Sequence, residues 1–285
     1  MKKFLFLMAF FSISAYAQKV DYGHADSVRV MSLFGKAKSL ERKTMASYMV
    51  FFGRQLKGIP YVAKTLEVNS EEQLVVNLRQ LDCTTYVETI LALSRCMAMG
   101  KMSFANYCDQ LRIIRYAKGI QSYATRKHYF TYWIQQSVEQ GLVKDVQEPN
   151  PPYSAVQEVK ASYMTTHLSQ YPMLNGKPEW VGKIKAMEES VTGLRPRYIP
   201  TSSVDNSALL RSTVHDGDII AIVTTKEGLE ISHLGIAVWH KDGLHMLNAS
   251  SIYHKVVEDG NLLKKYLLRQ KSAVGIRTLR AIYGK

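Results

Sequence analysis

Cys83 stands in the run Leu81-Asp82-Cys83-Thr84-Thr85-Tyr86-Val87-Glu88, where an acidic capping residue precedes a stretch of helical character. The thiol therefore falls at the opening of a helix. There the unpaired backbone N–H groups and the positive end of the helix dipole favour a thiolate and offer donors to an oxyanion. Asp82 reads as the N-cap, its carboxylate accepting a backbone N–H. Far downstream, Ser232-His233-Leu234-Gly235-Ile236-Ala237-Val238-Trp239 reads as a strand with a histidine near its start. Met246-Leu247-Asn248-Ala249-Ser250-Ser251 reads as the next strand and carries a polar amide at Asn248. A sulfur nucleophile, an imidazole to exchange its proton and an amide to hold the imidazole in one tautomer are the parts of an acyl-transfer centre.

The elements that must position them are partly visible. Leu40, Met45, Met49, Phe52 and Leu56 predict a helix over about Ser39–Leu56, which Gly58-Ile59-Pro60-Tyr61 ends. A short strand is expected over Glu72–Leu78, and the Cys83 helix runs to about Met99, with Val87, Ile90, Leu91 and Met97 inward and Gly100 as its stop. Ser103 caps a helix through Tyr116, and an aromatic run over Arg126–Trp133 leads to another near Ile134–Gln140. Glu148-Pro149-Asn150-Pro151-Pro152 marks a loop or a seam. Helical patterning resumes over Ala155–Leu168 and Glu179–Val191, and Arg195–Pro200 is extended by its prolines. Strands follow at Asp218–Val223, His233–His240, Leu244–Ala249, Lys255–Glu258 and Val274–Leu279, with a helix near Asn261–Leu268. Helices first and a meandering antiparallel sheet afterwards define an α+β class.

Lys2 and Lys3 ahead of the apolar Phe4–Ile13 stretch, followed by Ala15-Tyr16-Ala17, form an export signal with cleavage expected after Ala17. The apolar stretch is too short to span a bilayer, so no stable membrane insertion is expected of residues 18–285, and the destination is the periplasm. Those residues form a single domain with a helical elaboration at about 101–200. The balance of 37 basic to 24 acidic residues gives a net charge of +13, a field that favours anionic partners. No basic helix or nucleic-acid motif is present, so nucleic acid is not expected, and carboxylate-rich cell-wall peptides fit better. Three cysteines in an exported chain leave at least one unpaired; Cys83 is the odd one. Cys96 and Cys108 read as small buried hydrophobes, with a mutual disulfide open.

Gly58-Ile59-Pro60-Tyr61, Asp82-Cys83, Ser232-His233-Leu234-Gly235-Ile236 and Leu247-Asn248-Ala249-Ser250-Ser251 together resemble the NlpC-type papain-like peptidoglycan hydrolases. The Cys-Thr-Thr-Tyr-Val-Glu run, the long insertion and the Ser-His-Leu-Gly strand are most similar to the N-acetylmuramoyl-L-alanine amidase branch acting on 1,6-anhydro-muropeptides. The resemblance implies a papain-like core in which the nucleophile's helix packs on an antiparallel sheet. It implies cleavage of the amide between muramic acid and L-alanine, with Cys83, His233 and Asn248 as catalytic residues. It also implies a turnover or recycling role in a Gram-negative-like envelope. It places Tyr61 beside the site and makes Ser232 and Ser250, within the same motifs, substrate-contact candidates. The sequence departs from the pattern in two ways. Relatives often carry histidine where Asn248 stands, and Val62-Ala63-Lys64 follows Tyr61 where the commoner pattern has Trp-Gly-Gly.

Arg126 and Tyr129 offer a cation and an aromatic ring to a sugar or a peptide carboxylate; packing of that segment on the core is the equal alternative. Within catalysis the rival is a γ-D-glutamyl endopeptidase working with the same trio. From other classes come a non-catalytic wall-binding protein and a metal-dependent hydrolase. His233, His240, His245 and His254 suggest the latter, but they lack His-Glu-x-x-His or His-x-His spacing, and His240 and His245 flank a hairpin turn. No cofactor and no catalytic metal are expected.

Overall fold

The computed structural model describes residues 19–283, so the export signal read at residues 1–17 lies outside the described residues. In chain order the strands are β1 (Val20–Tyr22), β2 (Leu74–Val76), β3 (Val143–Val146), β4 (Ala155–Val156), β5 (Arg197–Pro200), β6 (Ile219–Thr224), β7 (Ile231–Trp239), β8 (Leu244–Ser250), β9 (Lys255–Glu258) and β10 (Ala273–Ala281). The α-helices are α1 (His24–Ala37), α2 (Met45–Gln55), α3 (Cys83–Ala98), α4 (Phe104–Arg115), α5 (Phe130–Glu139), α6 (Tyr163–Thr166), α7 (Pro178–Val191), α8 (Ala208–Thr213) and α9 (Leu263–Arg269).

A sheet of eight strands runs in the order β4-β5-β10-β6-β7-β8-β9, with β3 and β5 sharing one side of β10. Its pairings are antiparallel throughout, while β1 and β2 form a small parallel pair apart from it. Alternation along β7 and β8 divides the core into two layers. Leu234, Ile236, Val238, Leu247 and Ala249 join the layer built with α1 to α4, whereas Ala237, Leu244 and Met246 face α8 and α9. Helix α3 is the centre of the first layer. It is buried on nearly every side, from Thr85 through Met97 with only Arg95 partly exposed, as expected for a helix wrapped by α2, α4 and the sheet.

Mixed α/β structure with an antiparallel sheet follows the sequence expectation, with three corrections. Residues 101–200 are not a purely helical elaboration, because β3, β4 and β5 from this stretch extend the sheet. The helix expected over Ala155–Leu168 is replaced by β4 and the single turn α6. Its backbone is drawn into extended pairing instead, Gln157 N–H donating to Pro196 O and Val159 N–H to Leu194 O, both at 3.0 Å. The helix expected from Ser39 begins only at Met45, where Thr44 provides the N-cap. No helix of the described residues is long and apolar enough to cross a membrane.

Candidate active site

Asp82 ends the extended chain and starts α3. Its Oδ1 accepts the Thr85 N–H at 2.8 Å, and the Asp82 N–H donates back to Thr85 Oγ1 at 2.9 Å, a reciprocal cap that fixes where the helix begins. Cys83 is consequently its first residue and is half-buried. One turn on, Glu88 is locked by the Arg115 guanidinium at 2.7 Å, and Arg115 also donates to Val75 O at 2.7 Å. Cap and buried ion pair together hold the helix that Cys83 opens against α4 and β2.

The Gly58–Tyr61 segment is tied in from both sides. Gly58, at φ +87°, lets the chain turn out of α2; the Gly58 N–H then donates to Val256 O at 2.9 Å and Tyr61 N–H to His254 O at 3.0 Å. On its other side Leu81 N–H donates to Pro60 O at 3.1 Å and Val62 N–H to Leu81 O at 3.1 Å. Tyr61 is thereby carried alongside Leu81, two residues from the thiol. Burial, and then the charges of Cys83 and Asp82, push the Tyr61 hydroxyl up to about 12, which keeps it a donor.

His233 follows an irregularity. Ile222 pairs with His233 but Val223 pairs with Ile231, so Ser232 is the extra residue of a β-bulge. Bulges re-aim side chains beside active sites. Ser232 Oγ donates to Ile222 O at 3.4 Å, within the bulge itself. Asn248 lies one strand away and is fully buried. His233 Nε2–H donates to its Oδ1 at 3.0 Å, which leaves Nδ1 as the free nitrogen of the neutral ring. Gly235 permits the strand spacing: a Cβ there would stand 2.8 Å from Leu247 O and closer still to the Met246 side chain. The His233 ring stacks on Tyr266 of α9, centroids 6.1 Å apart.

The start of β7 is packed against the start of α3. The Leu234 N–H, next to His233, reaches the Cys83 sulfur, as do the Thr84 N–H and hydroxyl. Asp82 is close enough to His233 to favour its charged form, and Tyr266 feels the charge of Cys83. Burial dominates nonetheless. It pushes the Cys83 thiol up to about 12, with Asp82 adding to the effect and the three donors opposing it. The His233 imidazole is likewise held below its ordinary value by burial, against the pull of Asn248 and Asp82. Both shifts favour the uncharged forms, thiol and neutral imidazole.

The other site candidates are more scattered. Ser250 is buried and its Oγ accepts the Tyr253 N–H at 3.2 Å, shaping the turn into β9. Tyr129 is a correction: it sits in the packed cluster around α7, its hydroxyl donating to Glu188 Oε1 at 2.6 Å and accepting from Met164 N–H at 2.8 Å, with no surface left for a substrate. Arg126 lines a cleft of about 200 Å³ that also touches Asp82, Thr84, Glu88 and Lys64. Its guanidinium is engaged by Glu67 and Glu72 and lies over the Tyr123 ring, so it shapes the cleft wall. Lys64, exposed at φ +60°, is the cation at that cleft's rim. Cys96 and Cys108 are buried free thiols. Tyr266 and the Leu234 N–H were missed from sequence; neither carries a local signal, since α9 and the bulge reach the site only through the fold. His240 and His245 converge at the far end of β7 and β8, away from His233, and His254 sits in the turn before β9.

The model of a family described as AmiA-like, N-acetylmuramoyl-L-alanine amidase-like, matches residues 51–276. An N-acetylmuramoyl-L-alanine amidase from Bacteroides uniformis is 36% identical with a TM-score of 0.77, the match covering 84% of this chain and 99% of that one. A Bacteroides fragilis structure named "putative xylanase" is 38% identical with a TM-score of 0.74, covering 80% and 99%. A Legionella pneumophila protein at 23% identity, TM-score 0.70, covering 92% and 96%, shares the fold. No curated protein matches the sequence.

Proposed function

The chain belongs to the AmiA-like, N-acetylmuramoyl-L-alanine amidase-like family, and from that premise we propose a papain-like cell-wall amidase of NlpC type that uses Cys83 as its nucleophile. The observation that carries this reading is the His233–Asn248 hydrogen bond next to Leu234, whose backbone N–H reaches the sulfur of the first residue of α3. Peptidoglycan fragments are the substrate. The bond is the amide between the lactyl carbonyl of N-acetylmuramic acid and L-alanine, with the 1,6-anhydro form preferred on the strength of the family resemblance. The enzyme acts after export to the periplasm.

The electrostatics favour general-base activation over a standing ion pair. As the sulfur closes on the carbonyl carbon, its proton passes to His233 Nδ1 and the C–S bond forms. The carbonyl oxygen becomes an oxyanion that the backbone N–H groups at the start of α3 are oriented to receive. The C–N bond then breaks, and the imidazolium protonates the departing alanine amine. Water attacks the thioester, giving its proton to His233; the C–S bond breaks and the thiol recovers that proton. Asn248 Oδ1 holds the ring in the tautomer both half-reactions need. Lys64 at the cleft rim is suited to a stem-peptide carboxylate, a role for which Arg126 is no longer free. Glycoside hydrolysis fits poorly, because it needs two available carboxyl groups across a sugar, and Glu67 and Glu88 are each bound to an arginine.

Mass spectrometry of defined muropeptides, with and without the 1,6-anhydro ring, tests the assignment. Intact stem peptides starting at L-alanine, released faster from the anhydro substrates, are expected. Equal rates would remove the anhydro preference. Cleavage after D-glutamate would replace the amidase by an endopeptidase, and activity lost to a chelator but not to a thiol reagent would overturn the cysteine mechanism.

A further inference from the structure

Strand β7 carries a second histidine constellation at its far end. His233 and His240 are seven residues apart, about 23 Å along an extended strand, so the two are chemically separate. The hairpin connecting β7 to β8 presents His240, Asp242 and His245, and one ligand atom of each lies within 4.8 Å of the others. The two imidazole rings stack with centroids 4.3 Å apart.

Their outward hydrogen bonds select the nitrogens left over. His245 is buried, and its Nδ1–H donates to Asp259 O at 2.9 Å. The neutral ring then turns a bare lone pair, Nε2, toward Asp242 Oδ1 at 3.1 Å. Two acceptors facing each other repel, and a cation between them, or a proton on the ring, resolves the contact. His240 Nε2–H donates to Glu258 Oε1 at 2.9 Å, and that carboxylate is anchored by Arg54 at 2.8 Å. Among the described residues, no hydrogen bond engages His240 Nδ1. A histidine whose outer N–H is held by a carboxylate or a backbone carbonyl is the usual form of a metal ligand. The turn's backbone is also held from outside: Arg211 donates to His240 O at 2.9 Å and Asn206 to Asp242 O at 3.2 Å.

We infer that His240, Asp242 and His245 form a divalent-metal site, with zinc as its occupant. Two imidazoles and a carboxylate suit zinc rather than magnesium or calcium. Tetrahedral coordination separates ligand atoms by about 3.3 Å at ordinary zinc bond lengths, close to the Asp242–His245 spacing. The fourth position is left to water. The ion ties the hairpin end together and acts as a structural clamp, independent of the amidase reading.

Tag-free Cys83→Ala protein, which cannot bind zinc through the Cys83 sulfur, is stripped by chelator and dialysis and then titrated with zinc chloride in a calorimeter. One ion per chain is expected, together with a rise in Tm. His240→Gln and Asp242→Asn alter exposed side chains and keep the fold; each weakens binding about tenfold or more, and His245→Gln abolishes it. Failure of the Cys83→Ala chain to bind zinc overturns the site. So does unchanged affinity in both the His240 and Asp242 variants, whatever the folding of the His245 variant.

Discussion

The two ends of the β7–β8 hairpin place histidines in opposite surroundings. At the bulged end His233 is half-buried, stacked on Tyr266 and hydrogen-bonded to the neutral amide of Asn248. At the loop end His240 and His245 contact the carboxylates of Glu258 and Asp242. A neutral amide orients a ring and favours its charged form only through the hydrogen bond, whereas a carboxylate orients it and adds an opposite charge. In the first setting burial favours the neutral ring, which is what the proposed role as proton acceptor requires. The second sets carboxylates against the rings, which is what the proposed cation site requires. One hairpin thus supports two kinds of histidine chemistry, and the difference lies in the partner rather than in the strand.

The largest separation of the two ends comes from removing the chemistry at one of them. Cys83→Ala and His233→Ala should each lower amide cleavage by ~10⁴-fold or more, while His240→Gln leaves kcat/KM at the wild-type value. Release of L-alanine-terminated peptide measures the rates, and thermal unfolding checks that the alanine variants remain folded. Comparable losses at His233 and His240 would erase the contrast.

Asn248 offers a smaller but more pointed change. Asn248→Ala leaves the imbalance of charge intact yet frees the ring to rotate, and a loss of about 10²-fold is expected from misorientation. Asn248→Asp gives His233 the kind of partner found at the loop end. In the wild type, burial holds the imidazole below its ordinary value of 6.5, so kcat/KM should rise with pH through a midpoint under 6.5 and stay level afterwards. With the thiol near 12, no fall is expected at mildly alkaline pH. The carboxylate in Asn248→Asp favours the imidazolium and moves the acid limb upward. The stability sign agrees: a histidine depressed in the folded state contributes fully above its unfolded value of about 6.5. That contribution is lost as pH falls from there through the folded value. A wild-type profile that declines near pH 8 to 9 would instead indicate a standing thiolate–imidazolium pair.

How much of this was readable in the residues depends on how local each signal is. Helix α3 was legible because Asp82, the inward residues Val87, Ile90 and Leu91, and the stop at Gly100 all lie in one segment. Strands β6 to β10 were legible from runs of branched residues between glycine turns. The Ala155–Leu168 error has the reverse cause. Its apolar spacing fits a helix, but the backbone partners Leu194 and Pro196 are about forty residues away and win the competition for its N–H groups. Helix α1 was passed over although Val30, Leu33, Phe34 and Ala37 mark its buried face at helical spacing. In the site, Cys83, His233, Asn248 and Tyr61 were singled out from motifs. The stacking of Tyr266, the sealed position of Tyr129 and the occupied guanidinium of Arg126 were not, since each depends on which distant element packs there.

Asp82 gives the finest comparison, because here a carboxylate stands near His233 without binding the ring. Its charge raises the Cys83 thiol and favours protonated His233, while its oxygen caps α3. Asparagine separates these functions, since it caps a helix about as well as aspartate but carries no charge. Asp82→Asn should keep stability within a few tenths of a kcal/mol, whereas Asp82→Ala costs about 1 kcal/mol of helix capping. In Asp82→Asn the thiol loses an opposing charge and the imidazole a supporting one, so both groups titrate lower and the acid limb of kcat/KM shifts further below pH 6.5. Denaturant melts and pH profiles of the two variants measure the separate effects. If the asparagine variant were as unstable as the alanine one, or its acid limb moved upward, Asp82 would be acting by direct contact with the ring, as the carboxylates at the loop end do.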